Sequence, residues 1–327
     1  MKGYTKQSGI SLVELLIGLV LGLFLTGGAI QTFMVTKTSY RFSDSLAQVQ
    51  ENGRFALELI SRDLRMTGFF GCASFSAANI NDSIINPAGT GYDALLHTFD
   101  TPLDGTDNTE LNTSDRLILK GAIEDSYLLS AAAASSTADL NIKINNGISQ
   151  SDVVAVGDCE SIDIFQVTNT TANATGTVQH AVGTTSPGNI TTTMSKVYGR
   201  DAHIAPVSVI QYFIAASTSS TNGEPSMFRS VNGVNEELLS GVEDMQILYG
   251  EDTDSDDTPN RFVDASNGTL DMNDVVSIRV SLLIRSFDDA ITEDPQVYTF
   301  NGATVTAGDN RIRQVFTSTI GLRNRLL

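Results

Sequence analysis

One carboxylate lies inside the most apolar segment of this chain. Glu14 directly precedes residues 15–30, which carry no charged side chain. A carboxylate in a membrane costs about 2.5 kcal/mol or more near the bilayer centre, and it usually has a cationic partner. If the chain is cleaved after Gly9, the new α-amino group of Ile10 becomes available. In a lateral array of helices, the Glu14 carboxylate of one subunit would then meet the amino terminus of its neighbour.

The chain has two cysteines, Cys72 and Cys159. In an exported protein two cysteines form either one disulfide or none. A bridge would close a loop of about 90 residues and contribute on the order of 4 kcal/mol in the chain-entropy model. We predict the disulfide, with buried free thiols as the alternative. The histidines show no zinc-ligand spacing with either cysteine.

Carboxylates occupy alternate positions of one polar loop: Asp252, Asp254 and Asp256. This spacing is typical of the first half of an EF-hand calcium loop, in which a tight turn directs alternate side chains to one point. The second half departs from the pattern, because the sixth and twelfth positions hold Asp257 and Val263. Asn260 and Asp264 are candidate substitute ligands. A calcium site and a solvated acidic turn are the two interpretations.

The composition argues against several classes of protein. With 41% apolar residues the chain should fold, and 20 Lys+Arg against 38 Asp+Glu give a net charge of −18. Such a surface repels nucleic acid. The acids are concentrated in the middle of the chain, and the last 17 residues hold four arginines and no acid. The sequence contains no G-x-S-x-G, H-E-x-x-H, P-loop or G-x-G-x-x-G motif, so we predict no catalysis and no required cofactor.

A basic leader precedes the apolar segment. Residues 1–9 carry Lys2 and Lys6 and no acid, which is typical of a targeting signal. No small-residue cleavage site follows the apolar segment, so ordinary signal cleavage there is not expected. Residues 10–35 reach the roughly 20 residues that a membrane-spanning helix needs.

The apolar segment continues without a proline into an amphipathic pattern over residues 36–67. Apolar or small residues recur every three or four positions: Leu46, Val49, Gly53, Ala56 or Leu57, Ile60 and Leu64. This spacing predicts a helix that continues to Met66 and ends at Gly68 or Gly71. Charged residues fall between these positions: Asp44, Glu51, Arg54, Glu58, Arg62, Asp63 and Arg65.

Beyond residue 75 the pattern predicts strands. Short runs rich in β-branched residues are separated by Asn, Asp, Gly, Pro, Ser and Thr. The predicted strands are residues 116–120, 152–156, 162–168, 207–215, 245–249, 275–284, 296–300 and 311–322. Residues 131–136, 168–177 and 184–193 are low-complexity tracts and are predicted to be surface loops.

The N-terminus resembles a known signal. Residues 9–14, Gly-Ile-Ser-Leu-Val-Glu, follow a short basic leader and precede an apolar helix. They resemble the class III signal of type IV prepilins and type II secretion pseudopilins. Residues 65–72, 237–250, 275–284 and 311–325 resemble the PilW-type minor pilins. Ile10 departs from the signal, since Phe is the usual first mature residue.

The resemblance implies a processing pathway and a fold. It implies cleavage after Gly9 by a prepilin peptidase, N-methylation of Ile10, and use of Glu14 in docking to the filament. The implied fold class is α+β and type IV pilin-like: a long N-terminal helix, membrane-spanning over residues 10–35 and amphipathic over residues 36–67, packed on a mainly antiparallel β-sheet domain. Residues 68–327 would form this domain in the periplasm, with residues 1–9 as the cleaved leader.

The resemblance also implies partners and a location. The expected function is initiation or capping of a type IV pilus, with other minor pilins, the major pilin and the inner-membrane assembly platform as partners. The protein would span the inner membrane once and then enter the pilus. Two alternatives remain: a minor pseudopilin of type II secretion, and an anchored adhesin or sensor that does not polymerise.

Overall fold

A long helix and a set of short strands account for the regular structure. The computed structural model describes residues 9, 11–70, 80–81, 84–122, 125–219 and 223–325. The helices are α1 (Leu12–Met66), α2 (Ala94–His97) and α3 (Ala172–Thr175). Short 3₁₀ turns lie at Leu111–Thr113, Met272–Asp274 and Arg323–Arg325. The strands are β1 (Ile80–Asn81), β2 (Leu103–Thr106), β3 (Arg116–Gly121), β4 (Tyr127–Leu128), β5 (Leu140–Asn141), β6 (Val153–Gly157), β7 (Ile162–Gln166), β8 (Thr177–Val178), β9 (His203–Pro206), β10 (Ser208–Ala216), β11 (Pro225–Val231), β12 (Val234–Ser240), β13 (Val242–Glu251), β14 (Arg261–Val263), β15 (Val275–Arg285), β16 (Val297–Phe300), β17 (Ala303–Thr306) and β18 (Arg313–Gly321).

α1 is continuous over 55 residues, which corresponds to a rod of about 80 Å. It ends at the predicted residue, Met66. Gly68 follows with a φ of 72°, a left-handed conformation that glycine adopts without strain. Its N–H donates to the carbonyl oxygen of Lys120 at 2.9 Å. The end of the helix is thereby tied to the end of β3.

Two sheets form the body that receives α1. The first sheet has the strand order β12-β11-β10-β3-β2, and the second has the order β14-β13-β15-β18. All pairs within both sheets are antiparallel. Apolar side chains from both sheets and from α1 share one buried cluster, to which α1 contributes Val49, Ala56, Ile60 and Leu64. The second half of α1 is therefore part of the core of the body.

A separate lobe lies between β3 and β10. These two strands are neighbours in the first sheet, yet more than eighty residues connect them. The connection contributes β4, β6, β7 and β9 to a third sheet of order β1-β7-β6-β9-β4, in which β1 comes from before β3, and it also forms the short pair β5 and β8. This lobe has its own buried cluster, which includes Phe165 and Tyr198. A smaller cluster around Phe70 and Ile118 lies between the lobe and the body.

The predicted α+β fold class is confirmed. A long N-terminal apolar helix is followed by a mainly antiparallel β-structure, the layout that the pilin resemblance implied. The predicted strands all occur within a few residues of their expected bounds. Ten strands of the described part of the chain were not predicted from the sequence: β1, β2, β4, β5, β8, β9, β11, β12, β14 and β17. Asn189, in a tract predicted to be a surface loop, is buried because its side chain pairs with the backbone of Gln166 in β7.

Candidate functional site: the long helix and its junction with the sheets

The start of α1 carries the residues predicted for processing and assembly. Gly9 is exposed and precedes the helix, and Ser11 is the N-cap. Glu14 is exposed in the first turn, where a carboxylate interacts favourably with the helix macrodipole. Ile10 lies outside the described residues. The roles assigned to Gly9, Ile10 and Glu14 stay predictions.

The first half of α1 presents apolar side chains to its surroundings. Within the described part of the chain, α1 is the helix that is long and apolar enough to cross a membrane, with a mean hydropathy of 2.2 over an 18-residue window that is wholly exposed. The hydroxyls of Thr26 and Thr32 donate to the carbonyl oxygens four residues earlier, at 2.7 and 3.0 Å. These polar groups are satisfied within the helix, as an apolar medium requires.

Four glycines leave open space on this half of α1. No atom lies within 4 Å of the position that a Cβ would take at Gly18, Gly22, Gly27 or Gly28. The helix is nevertheless continuous through all of them.

A buried acid fastens the second half of α1 to the first sheet. The carboxylate of Asp63 accepts a hydrogen bond from the Tyr212 hydroxyl at 2.6 Å and one from Arg229 Nε at 3.0 Å. Tyr212 lies on β10 and Arg229 on β11, directly opposite each other. Burial, and then the Asp63 charge, raise the pKa of Tyr212. Burial opposes the charge of Arg229, but Asp63 outweighs it and raises the pKa of Arg229. Arg229 therefore keeps its charge and Tyr212 its proton, and their hydrogen bonds to Asp63 fix the helix on two strands.

A close contact fixes α1 on the second sheet. Gly53 is buried, and a Cβ at this position would lie 2.5 Å from ring atoms of Phe316 on β18. Only a glycine lets the helix backbone approach this ring so closely. The Gly53 contact lies nearly three helical turns before Asp63, so α1 is held at two points along its second half.

A network of ion pairs joins strand ends of the second sheet. These ends lie where the second half of α1 begins to pack on the body. Three arginines pair with three acids: Arg285, Arg311 and Arg313 with Glu224, Glu243 and Asp309. Arg313 is almost fully buried and lies 2.6 Å from Glu243 and 2.5 Å from Asp309. The Arg313 hydrogen bonds are the main reason why the pKa of Asp309 is lowered. The network holds β13, β15 and β18 together at one end of the second sheet.

The aspartate-rich loop gathers its carboxylates, but its own backbone uses them. One oxygen each of Asp252, Asp254 and Asp256 lies within 4.8 Å of the others. The Asp252 carboxylate accepts hydrogen bonds from the N–H groups of residues 254–257. Burial favours the protonated form of Asp252, but these four hydrogen bonds together outweigh burial. The pKa of Asp252 is therefore lowered. Asn260 Oδ1 accepts from the Thr253 N–H at 2.6 Å. Calcium binding here stays a prediction.

One of the two cysteines of the predicted disulfide lies within the described residues. Cys159 is in the disulfide-bonded state and lies in the turn between β6 and β7 of the lobe. Cys72 lies outside the described residues. The pairing of the two stays a prediction.

The residues that dock the helix were not predicted from the sequence. Asp63 was grouped with the charged residues between the apolar positions, yet it is buried. Its spacing of three from Ile60 and seven from Ala56 places it on the buried face, which was the available signal. Its partners Tyr212 and Arg229 lie some 150 residues further along the chain, and no local pattern connects them.

The comparisons with known proteins agree with this layout in one part of the chain. A family model described as Type IV Pilus-assembly protein W matches residues 211–324. The matched segment contains the last six residues of β10, then β11 to β18, and therefore the Arg229 and Phe316 contacts of α1. It does not include the lobe. The match supports a pilus-related protein. Neither the curated proteins nor the solved structures gave a significant match.

Proposed function

We propose that this chain is a minor pilin that helps to initiate or cap a type IV pilus as part of a complex with other minor pilins. In this proposal, the prepilin peptidase removes residues 1–9 and Ile10 becomes the methylated N-terminus. The apolar half of α1 anchors the protein in the inner membrane and later enters the filament core. The body and the lobe lie in the periplasm and then at the pilus. No catalysis and no metal are required.

One observation carries the proposal. The residues that match the pilus-assembly family, 211–324, supply the strands on which the second half of α1 is docked. An ordinary membrane anchor needs only a tether between its helix and its domain. Here the helix is instead built into the domain core through Asp63 and Gly53. A subunit of this kind moves as one body with its apolar segment, as incorporation into a filament demands.

A deletion strain tests the proposal against its alternatives. Loss of surface pili and of twitching, with normal secretion of exoproteins, is the expected result, and wild-type protein supplied from a plasmid should restore both. Loss of exoprotein secretion with normal pili would instead identify a type II pseudopilin. Normal pili and normal secretion would leave the anchored adhesin or sensor and would contradict the proposal.

A further inference from the structure

A cleft beside the last turns of α1 is basic, although the protein is acidic. The cleft has a volume of about 1080 Å³ and lies between α1, β11 and the 3₁₀ turn Arg323–Arg325. Four arginines line it: Arg62, Arg65, Arg229 and Arg323. The acids in its lining are Glu58 and Asp63. In a chain of net charge −18, a cleft in which arginines outnumber acids is an exception to the rest of the surface.

Most of this positive charge has no partner among the described residues. Asp63 is engaged by Arg229 and Tyr212. Arg62, Arg65 and Arg323 are exposed, and none of them forms an ion pair within the described chain. Three guanidinium groups around one cleft favour a partner with several carboxylates, because arginine binds carboxylates in a bidentate manner.

An acidic loop lies beside the same helix, nearer to its apolar half. Residues 287–295 lie in the connection between β15 and β16. They contain four exposed acids and no base: Asp288, Asp289, Glu293 and Asp294. Asp288 makes an exposed ion pair with Arg41 of α1 at 3.5 Å. Among the described residues Asp289, Glu293 and Asp294 have no ion-pair partner. The loop thus carries unpaired negative charge, which is opposite in sign to the charge of the cleft.

The two surfaces are separated along α1. Arg41, which marks the loop, precedes Arg62 of the cleft by 21 residues, or about 32 Å of helix. A second copy displaced by about this distance along the helix axis brings its loop to the level of the cleft. Such a contact joins different surfaces of two identical chains, so it is heterologous and can continue from subunit to subunit.

A membrane surface does not fit as the source of the negative charge. The apolar segment ends at about residue 35, so Arg62 lies about 40 Å further along the helix. Lipid headgroup charge is screened over about 8 Å at physiological ionic strength. An acidic protein surface at the level of the cleft is the better partner.

We propose that the cleft formed by Arg62, Arg65 and Arg323 binds the acidic loop, residues 287–295, of a second copy of this chain. The contact rests on the proposed function in one respect, because assembly of pilin-like helices displaces neighbouring subunits along the helix axis; it adds to that function that two copies of this chain lie beside each other in the assembly. It requires no further protein and is therefore testable with purified protein.

A charge swap on the full chain in detergent tests the contact. The cleft variant is Arg62→Glu with Arg65→Glu, and the loop variant is Glu293→Lys with Asp294→Lys. All four side chains are exposed, without ion-pair partners in the described chain, so both variants should fold, and thermal melts would verify this. Two differently tagged copies are mixed, and capture of one by the other is measured at 50 and 500 mM salt. Arg200→Glu, an exposed and unpaired arginine of the lobe, is the matched control.

The expected pattern is reciprocal. Wild-type and Arg200→Glu copies should capture each other at low salt and lose this at high salt. Each swap variant alone should show at least a tenfold loss of low-salt capture. In the cleft variant the cleft and the loop both carry excess negative charge, and in the loop variant the loop has no net charge left to attract the arginines. Mixing the two variants should restore capture, because the introduced lysines of one loop then face the introduced glutamates of the other copy's cleft, and the unaltered cleft and loop also pair.

Three outcomes would overturn the inference. These are salt-independent capture, unchanged capture by the single variants, and no recovery in the mixture. Binding of the arginines to vesicles of anionic lipid without any self-capture would assign the cleft to a membrane and would also overturn it. None of these outcomes affects the pilus phenotype or the processing of the N-terminus, so failure here is distinguishable from failure of the proposed function.

Discussion

Glu14 and Asp63 are acids on one helix with opposite surroundings. Asp63 has two partners within the chain, whereas Glu14 is exposed on the apolar half, where an unpaired carboxylate is unfavourable. A simple anchor would insert more easily with alanine at this position. We predict instead that Glu14→Ala is processed and membrane-bound but recovers fewer partner pilins on co-purification and forms fewer surface pili.

Glu51→Ala is the matched control for Glu14→Ala, since Glu51 is an exposed acid further along α1. It should behave as wild type in the same co-purification. Normal partner recovery and normal piliation with Glu14→Ala would remove the assembly role of this residue.

Asp63 should matter for stability rather than for insertion. Asp63→Ala leaves Arg229 and Tyr212 without their shared acceptor in a largely buried position. Removal of one partner of a buried ion pair lowers the free energy of unfolding by about 3–5 kcal/mol. Because Arg229 is partly exposed, we expect a value near the lower end of this range. We predict a fall in melting temperature of roughly 5–10 °C. Arg54→Ala, an exposed change on the same helix, should change it by no more than about 1 °C, and equal melting of the two variants would contradict the docking role.

Asp115 predicts a pH dependence of stability. Burial raises the pKa of this carboxyl to about 6, although it accepts N–H bonds from Asn108 and Ile247. The folded state thus holds the proton more tightly than the unfolded state. The stability from this group is complete below pH 4 and is lost as the pH rises through 6. Relative to Asp115→Asn, which does not titrate, the wild type should lose on the order of 2–3 kcal/mol between pH 4 and 7.

Denaturant unfolding of both proteins at each pH measures this difference, because the other titrating groups cancel. A difference between wild type and Asp115→Asn that does not change with pH would show that the carboxyl titrates normally in the folded protein.

At the scale of single residues, the sequence was informative only where the chemistry is local. The alternation of Asp252, Asp254 and Asp256 predicted a calcium site, and in the structure one oxygen of each lies within 4.8 Å of the others. It did not show that the loop backbone would bind the Asp252 oxygens first. Asp63 finds both of its partners, and Asp115 one of its two, across more than a hundred residues, and such pairings follow from sheet topology rather than from spacing.

At the scale of elements, the contact between Gly53 and Phe316 sets the position of α1. Alanine normally favours a helix over glycine by about 1 kcal/mol. At Gly53 the added methyl group would overlap the Phe316 ring, and overpacking costs about 1–3 kcal/mol. We predict that Gly53→Ala lowers the stability by about 1 kcal/mol in denaturant unfolding.

A second variant shows whether the ring is the cause. In the background Phe316→Ala, which removes the overlapping atoms, Gly53→Ala should become neutral or stabilising because only the helix propensity remains. Equal destabilisation in both backgrounds would mean that the ring does not limit the approach of the helix.

The helix and the central strands were predictable because each has a clear period. The three-and-four spacing predicted α1 to its last residue, and the alternation in residues 276–284 predicted β15. β12 escaped prediction because it is an exposed edge strand without a buried face. β11 was not predicted because it begins at Pro225. A proline in the sequence usually indicates a turn, although it is tolerated as the first residue of a strand.

At the scale of the whole molecule, the body and the lobe differ in their similarity to known proteins. The body combines α1 with the segment that matches the pilus-assembly family. The lobe is inserted between two neighbouring strands of the body and lies outside the matched segment. Its polar, low-complexity connections gave no periodic signal, so the sequence did not predict a second buried cluster there.

The central claim is that this chain is processed as a pilin and built into a pilus. Mass spectrometry of the N-terminal peptide, from protein in a sheared surface fraction and in the membrane fraction, tests it most directly. We predict that the peptide from both fractions begins at Ile10 with a methylated α-amino group. A peptide that begins at Met1, or the absence of the protein from the sheared surface fraction, would contradict the account.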